Sequence, residues 1–151
     1  MMVAVLFLGA LLASPATGDA MLTGKMAIYN DLLGARWTCA IGKITYFADY
    51  TVAPGNALHG HLSSGDGTED TYFGYDTKRK VYWSDNADST GATESQMSAD
   101  VQTFVGTLND GRTTSKATNV ITITSARKWV IRARGTAGGH PYDVTATCLR
   151  D

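Results

Sequence analysis

The sequence predicts an all-β protein, a closed antiparallel up-and-down barrel of about 8 to 10 strands with a short N-terminal helix. The composition is the first indication. The chain has 151 residues with 16 Gly, and only Glu69 and Glu94 are glutamates among its 14 acidic residues. Turn and strand formers are thus abundant, while the long straight side chains that favour helices are scarce. The second indication is a series of strand-sized segments at short intervals. The third is that no helical segment is long enough to connect parallel strands.

The N-terminal segment has the pattern of a secretory signal. Residues 3–13 read VAVLFLGALLA, whereas a membrane-spanning helix needs about 20 apolar residues. Small residues then lead to Ala20. We expect residues 1–20 to be a signal peptide and residues 21–151 to form one domain that is secreted or periplasmic. The alternative is a buried N-terminal helix, which would need cover on every side.

Charge excludes several classes of partner. Removing residues 1–20 takes away Asp19 and no basic residue, which leaves 13 residues of each sign and a net charge of zero. A neutral domain has no electrostatic attraction to nucleic acid or to an anionic membrane. We therefore expect no nucleic-acid partner and no stable membrane insertion after signal cleavage.

The predicted elements follow one another closely. Residues 26–33 carry Ile28, Leu32 and Leu33 at helical spacing and end at Gly34, which predicts a short helix or turn. Residues 44–52 give the clearest strand, because apolar and polar side chains alternate along it. Asn109, Asp110 and Gly111 form a strong hairpin signal. The ten predicted strands are 36–42, 44–52, 57–63, 71–75, 81–85, 93–97, 101–108, 120–124, 128–134 and 142–149.

The two cysteines of the chain, Cys39 and Cys148, are predicted to form a disulfide, because an exported chain with one pair most simply bonds it. Period-two alternation places both sulfurs on the apolar faces of their strands. A bond between them would put the first strand beside the last and close the sheet into a barrel, which also removes exposed edges. A two-sheet sandwich is the alternative fold. A redox or metal-binding pair is the alternative role, although no CxxC spacing supports it.

Three short stretches resemble a known group of proteins. LLGARWTC (32–39), YFGYDTKRK (72–80) and TCLR (147–150) are similar to segments of small exported bacterial proteins with lipocalin-like, or calycin-like, barrels of uncharacterised function. In that superfamily a Gly-x-Trp motif places an indole across the closed end of the barrel, often under an Arg from the last strand. Here the spacing is Gly34-x-x-Trp37, one residue longer. The resemblance implies Arg150, or else Arg132 or Arg134, as the partner of Trp37, and it implies a central cavity.

Alternation gives a set of inward-facing side chains that could bind a ligand. A cavity lined by aromatic rings with polar tips suits an amphipathic or apolar small molecule. The other interpretation is that these rings simply fill the core. The predicted ligand-binding residues are Trp37, Tyr46, Tyr50, Phe73, Tyr75, Trp83 and Trp129, and Leu58, Leu62, Ile131 and Val144 are further inward candidates.

The histidines are weak candidates for a metal site. His59 and His61 emerge on the same face of one strand, and His140 is the third histidine of the chain; three imidazoles can hold a catalytic zinc. However, Leu58, Gly60 and Leu62 form the inward set of that strand, which leaves the histidines outside the barrel. No motif specifies a reaction and no nucleophile with a base is visible, so the sequence predicts no cofactor and favours a binding protein over an enzyme. The alternatives are an envelope interaction protein with a filled core and, less favoured, a metal-dependent enzyme.

Overall fold

Ten antiparallel strands close into one barrel, as the sequence predicts. The structure is a computed structural model that describes residues 20–151, so the predicted signal segment falls outside the described residues except for Ala20. Each strand pairs with the next one along the chain, and β1 pairs with β10, which excludes a two-sheet sandwich. The strands are β1 (Arg36–Ile41), β2 (Ile44–Ala53), β3 (Ala57–Ser64), β4 (Gly67–Asp76), β5 (Val81–Asp88), β6 (Thr93–Ser98), β7 (Thr103–Asn109), β8 (Thr114–Ser125), β9 (Lys128–Ala137) and β10 (His140–Arg150).

The predicted disulfide joins the first strand to the last. Cys39 and Cys148 are directly opposed in the β1–β10 register, and they are bonded. Both are fully buried, because each lies on the inward face of its strand. The bond closes the ring of strands covalently. It also indicates an oxidising, extracytoplasmic compartment, where such bonds persist.

A 3-10 helix, Gly24–Leu32, covers one end of the barrel. Its buried side chains are Met26, Tyr29 and Leu32, at the three-residue spacing of a 3-10 helix. The prediction that Ile28 shares the apolar face of the helix with Leu32 is therefore wrong, because this side chain is half exposed. The indole Nε1 of Trp37 donates a hydrogen bond to the carbonyl oxygen of Leu32 at 3.0 Å. This end of the barrel is thus closed by the helix.

Two strands begin at least four residues earlier than the sequence predicts. β4 begins at Gly67 instead of residue 71, and β8 begins at Thr114 instead of residue 120. Both extensions are rich in polar residues, so apolar alternation does not mark them. Each extension lengthens its strand toward the end of the barrel that the helix does not cover. Within residues 20–151, no helix combines the length and the apolar character that crossing a membrane requires.

Candidate ligand-binding cavity

The barrel encloses a cavity of about 380 Å³. Its lining includes Asp66 in the β3–β4 turn and Ser89 and Thr90 in the β5–β6 turn, all at the end away from the helix. The cavity therefore opens at that end. Small-molecule sites in proteins measure about 300 to 1,000 Å³, so this volume lies within that range. The interior is not filled by side chains.

One wall of the cavity is apolar. The inward residues of β8, β9 and β10 supply Ile121, Ile131, Val144 and Ala146, and Ile41 of β1 continues the surface. Their outward neighbours include Arg132 and Asp143, which form an exposed ion pair with an N–O distance of 2.6 Å. Alternation of inward apolar residues with mostly polar outward residues along β9 and β10 thus produces this wall.

Aromatic rings lie deeper in the cavity. Tyr50 and Trp129 meet edge to face with 6.2 Å between ring centroids, and Phe73 contacts the buried Phe104 in the same way at 5.7 Å. Phe73 lines the cavity, whereas Phe104 does not, so Phe104 lies behind this aromatic layer. Gly60 makes room for Tyr50, because a Cβ at that position would lie 2.6 Å from Cε1 of the ring.

The opposite wall is polar and is built by β4, β5, β6 and β8. Glu69 on β4 is directly opposed to Asp88 on β5, and Glu94 on β6 is opposed to Asn86. The Nδ2 group of Asn119 donates hydrogen bonds to Glu94 Oε1 at 2.9 Å and to Gln96 Oε1 at 3.0 Å. These residues line the cavity, which is therefore amphipathic across its width.

Three buried polar atoms on the cavity lining have no hydrogen-bond partner among the described residues. They are Gln96 Nε2, Asn119 Oδ1 and Trp129 Nε1. The parent side chains are only 2%, 7% and 6% exposed. Leaving a buried donor or acceptor unsatisfied costs about 1 to 3 kcal/mol. Two donors and one acceptor that belong to lining residues are thus buried without a partner.

Two carboxyl groups of the polar wall, those of Glu69 and Glu94, have raised pKa values. Burial, together with the charges of Glu94, Asp88 and Asp70, raises the pKa of Glu69 to about 7. Burial also raises the pKa of Glu94, against the opposing hydrogen bond from Asn119. Glu69 is therefore near its titration midpoint at neutral pH.

Asp88 behaves differently although it faces Glu69. Its burial acts to raise the pKa, but hydrogen bonds from Thr90 and from the backbone N–H groups of residues 90–92 hold the pKa below its usual value. The hydrogen bonds of the β5–β6 turn thus favour the ionised form of Asp88 at the mouth of the cavity.

The structure divides the seven predicted ligand-binding residues into three groups. Tyr46, Tyr50, Phe73 and Trp129 line the cavity. Trp37 is buried at the closed end, and Tyr75 packs edge to face on Tyr82 with 4.9 Å between centroids. The third group is Trp83 alone, on the outer face of β5. Of the further inward candidates, Leu62, Ile131 and Val144 line the cavity and Leu58 is buried in the core.

The inward orientation predicted for Trp83 is wrong. Tyr82 and Trp83 are adjacent aromatic residues, so alternation alone fits either phase, and Tyr82 takes the inward one. Trp83 covers its strand partner Gly74, where a Cβ would overlap the indole ring. An aromatic side chain that covers a cross-strand glycine stabilises the sheet from outside.

His59 and His61 lie on the outer face of β3, as alternation predicts. His59 Nε2 and His61 Nδ1 both contact Oδ1 of Asp70, at 2.8 and 3.0 Å. His140 begins β10, and two strands separate β10 from β3 in the barrel order. Across residues 20–151, no three His, Cys, Asp or Glu side chains are grouped so that they could hold a metal ion.

Arg150 is the arginine that meets Trp37. Its guanidinium carbon lies 6.0 Å from the centroid of the indole, whereas Arg132 pairs with Asp143 outside the barrel. The closed ten-strand barrel is compatible with a lipocalin-like fold. Searches against protein-family models and against curated proteins find no match for this chain.

The sequence does not reveal the polar wall. Glu69, Asn86, Glu94, Gln96 and Asn119 lie in segments with polar side chains on both faces, so alternation gives no phase. The register of the hairpins offers a usable signal. Phe73 faces inward, so Glu69, four residues earlier on the same strand, also faces inward. Directly paired residues lie on the same face of a sheet, so the pairing of β4 with β5 and of β5 with β6 identifies the inward residues of those strands as well.

Proposed function

We propose that this protein is an exported binding protein that holds one small amphipathic molecule inside its barrel. The observation that supports this proposal is the cavity of about 380 Å³ between an apolar wall and a polar wall. An amphipathic molecule would place its apolar body against Ile121, Ile131 and Val144 and its polar groups against the strands on the other side. Export is supported by the disulfide and by the pattern of residues 1–20.

The unpartnered polar atoms favour an occupant over a void. Gln96 Nε2, Asn119 Oδ1 and Trp129 Nε1 are withdrawn from bulk solvent and have no partner in the described chain. A guest with complementary groups would recover the free energy that their burial costs. The alternative of an interaction protein with a filled core needs an interior without such space. The cavity therefore favours the binding protein.

Binding of an uncharged fluorescent probe tests the proposal. N-phenylnaphthylamine gains fluorescence in apolar sites, and we expect it to bind the purified barrel at one site. Val144 is half buried on the cavity wall, so Val144→Phe would fill part of the space and weaken binding about tenfold. The matched control is Ala40→Phe, because Ala40 is exposed on the outer face of β1; its affinity should match that of the wild type.

Folding of each variant is checked by its circular dichroism and thermal unfolding. Ile131→Phe on the neighbouring strand replaces Val144→Phe if that variant does not fold. No binding of the probe to the wild type would overturn the proposal. Equal affinity in the wild type and in a folded cavity-filling variant would overturn it as well.

A further inference from the structure

We infer that the molecule held in the cavity is a cation, namely a protonated amine attached to an apolar body. This inference rests on the proposed function, because it names the charge of the molecule that the cavity takes. Its basis is the arrangement of charged and unpartnered polar groups on the lining.

The charged groups of the lining all carry the same sign. Asp66, Glu69, Asp88 and Glu94 face the cavity, and among the residues that the structure describes there, none is Lys, Arg or His. The whole chain has 13 basic and 14 acidic residues, so this segregation is local. Both glutamates of the chain belong to it. A cleft lined by one sign of charge between low-dielectric walls concentrates counter-ions of the opposite sign.

Three of these acidic residues lie on neighbouring strands of the polar wall, so an ammonium group in the cavity would have carboxylates on one side of it. Glu69, Asp88 and Glu94 come from three consecutive strands and face the apolar wall across the cavity. Asn119 Oδ1 lies on the same lining as a buried acceptor without a donor. An ammonium group carries three donors and no acceptor, which matches carboxylate oxygens and an amide oxygen. The free donors of Gln96 and Trp129 would meet an acceptor elsewhere on the molecule.

The surroundings of Glu69 support a cationic occupant. The titratable groups that act on it are Asp70 on its own strand, Asp88 on β5 and Glu94 on β6, and it acts in turn on Tyr46 and Tyr50 of β2. All are acidic. The burial of the site and the repulsion from Glu94, Asp88 and Asp70 raise the pKa of Glu69 to about 7. A cation between these groups would favour the ionised form and so stabilise the complex.

A bare metal ion fits the cavity less well than an amine. The described residues offer no group of three or more His, Cys, Asp or Glu side chains arranged for a metal ion. An ion would also leave the apolar wall and the aromatic rings without a contact. An amine with an aromatic or aliphatic body would use both walls.

Three ligands of the same shape test the sign of the charge. Phenylbutylamine, phenylbutanol and phenylbutyrate are titrated by calorimetry and by displacement of N-phenylnaphthylamine at about pH 8, where Glu69 is mostly ionised. We expect the amine to bind about tenfold or more tightly than the alcohol, and the carboxylate to bind most weakly.

Conservative variants test the residues. Glutamine keeps the shape of glutamate and an acceptor for Asn119, so Glu69→Gln with Glu94→Gln should weaken amine binding about tenfold while alcohol binding changes less than about twofold. Glu94→Gln alone is used if the double variant does not fold. The matched control is Asp49→Asn, which removes an exposed carboxylate on the outer face of β2 and should leave all three affinities unchanged.

The outcomes separate this inference from the proposed function. If the probe binds but the amine binds no more tightly than the alcohol, or if the glutamine variants hold the amine as tightly as the wild type, the inference is overturned and the binding function stands. Failure of the amine to displace a bound probe would likewise overturn the inference alone. If the probe itself does not bind, the proposed function fails and the inference fails with it.

Discussion

The guanidinium of Arg150, the last residue of β10, lies over the indole of Trp37 in β1, with 6.0 Å from its central carbon to the ring centroid. The same guanidinium donates hydrogen bonds to the backbone carbonyl oxygens of Asp31 at 3.2 Å and of Leu33 at 3.3 Å. One side chain therefore ties the last strand to the first strand and to the segment that closes the barrel end. Cation–π contact and charged hydrogen bonds both contribute to this connection.

Replacing Arg150 should destabilise the closed end. We expect Arg150→Ala to lower the free energy of unfolding by about 2 kcal/mol, because carbonyl oxygens and the indole face lose their partner together. Arg132→Ala is the control: its ion pair with Asp143 is exposed, and its loss should lower the free energy of unfolding much less than Arg150→Ala does. Urea unfolding measures both. If both variants lose the same free energy of unfolding, Arg150 does not stabilise the closed end of the barrel more than an exposed ion pair does.

Removing the disulfide should have a larger effect. Cys39 and Cys148 are 109 positions apart, and for a loop of that length the chain-entropy model gives a stabilisation of about 4 to 5 kcal/mol. The double variant Cys39→Ala with Cys148→Ala should lose about this much in urea unfolding. Thiol titration of the unfolded, unreduced wild type should find no free thiol. Two reactive thiols in that titration would contradict the covalent closure of the barrel.

Stability should depend on pH through Glu69. Its pKa in the folded protein is about 7, above the ordinary value of 4.5, so the folded state binds more protons between these values. The contribution of Glu69 is therefore fully present below about pH 4.5 and is lost as the pH rises through about 7.

Glu69→Gln removes this dependence. We expect the variant to equal the wild type in stability at about pH 4 and to exceed it by about 3 kcal/mol or less at about pH 8. Urea unfolding at both pH values provides the measurement. A variant that is less stable than the wild type at the higher pH would show that the ionised Glu69 side chain does not destabilise the folded protein.

Gly106 is required where β7 passes close to β6. A Cβ at this position would overlap the backbone carbonyl oxygen of Ser95 and approach the Cα of Gln96. Backbone cannot move aside as a flexible side chain can, so Gly106→Ala should destabilise the barrel by about 1 to 3 kcal/mol. Gly65→Ala is the control, since nothing lies within 4 Å of that position. Thermal unfolding should show a lower midpoint for Gly106→Ala alone.

The sequence predicts the barrel well because one face of most strands is apolar. In β1 and β10 the alternation places Cys39 and Cys148 on the inner face, and the disulfide predicted between them makes the two strands neighbours. The structure contains all ten predicted strands, with differences mainly at their ends.

The candidate site is harder to predict for a physical reason. Tyr46, Tyr50, Phe73 and Trp129 are apolar enough to mark the interior, but the opposite wall is made of residues that a pattern of burial assigns to solvent. β6 reads TESQMS and has no apolar face to fix its phase. Where the inward side chains of a strand are polar, the sequence shows no alternation of apolar and polar residues, and the inward face cannot be recognised from it.

The three tryptophans of the chain provide the most direct test of ligand binding inside the barrel, because each occupies a different region. Trp129 lines the cavity, Trp37 is hydrogen-bonded to Leu32 at the closed end, and Trp83 lies outside. Isotope-labelled protein gives one indole N–H signal for each, and Trp83→Phe identifies one of them. Titration with phenylbutylamine should shift the Trp129 signal saturably and leave that of Trp83 unchanged. A Trp129 signal that does not move, or a Trp83 signal that moves as far, would contradict binding in the cavity.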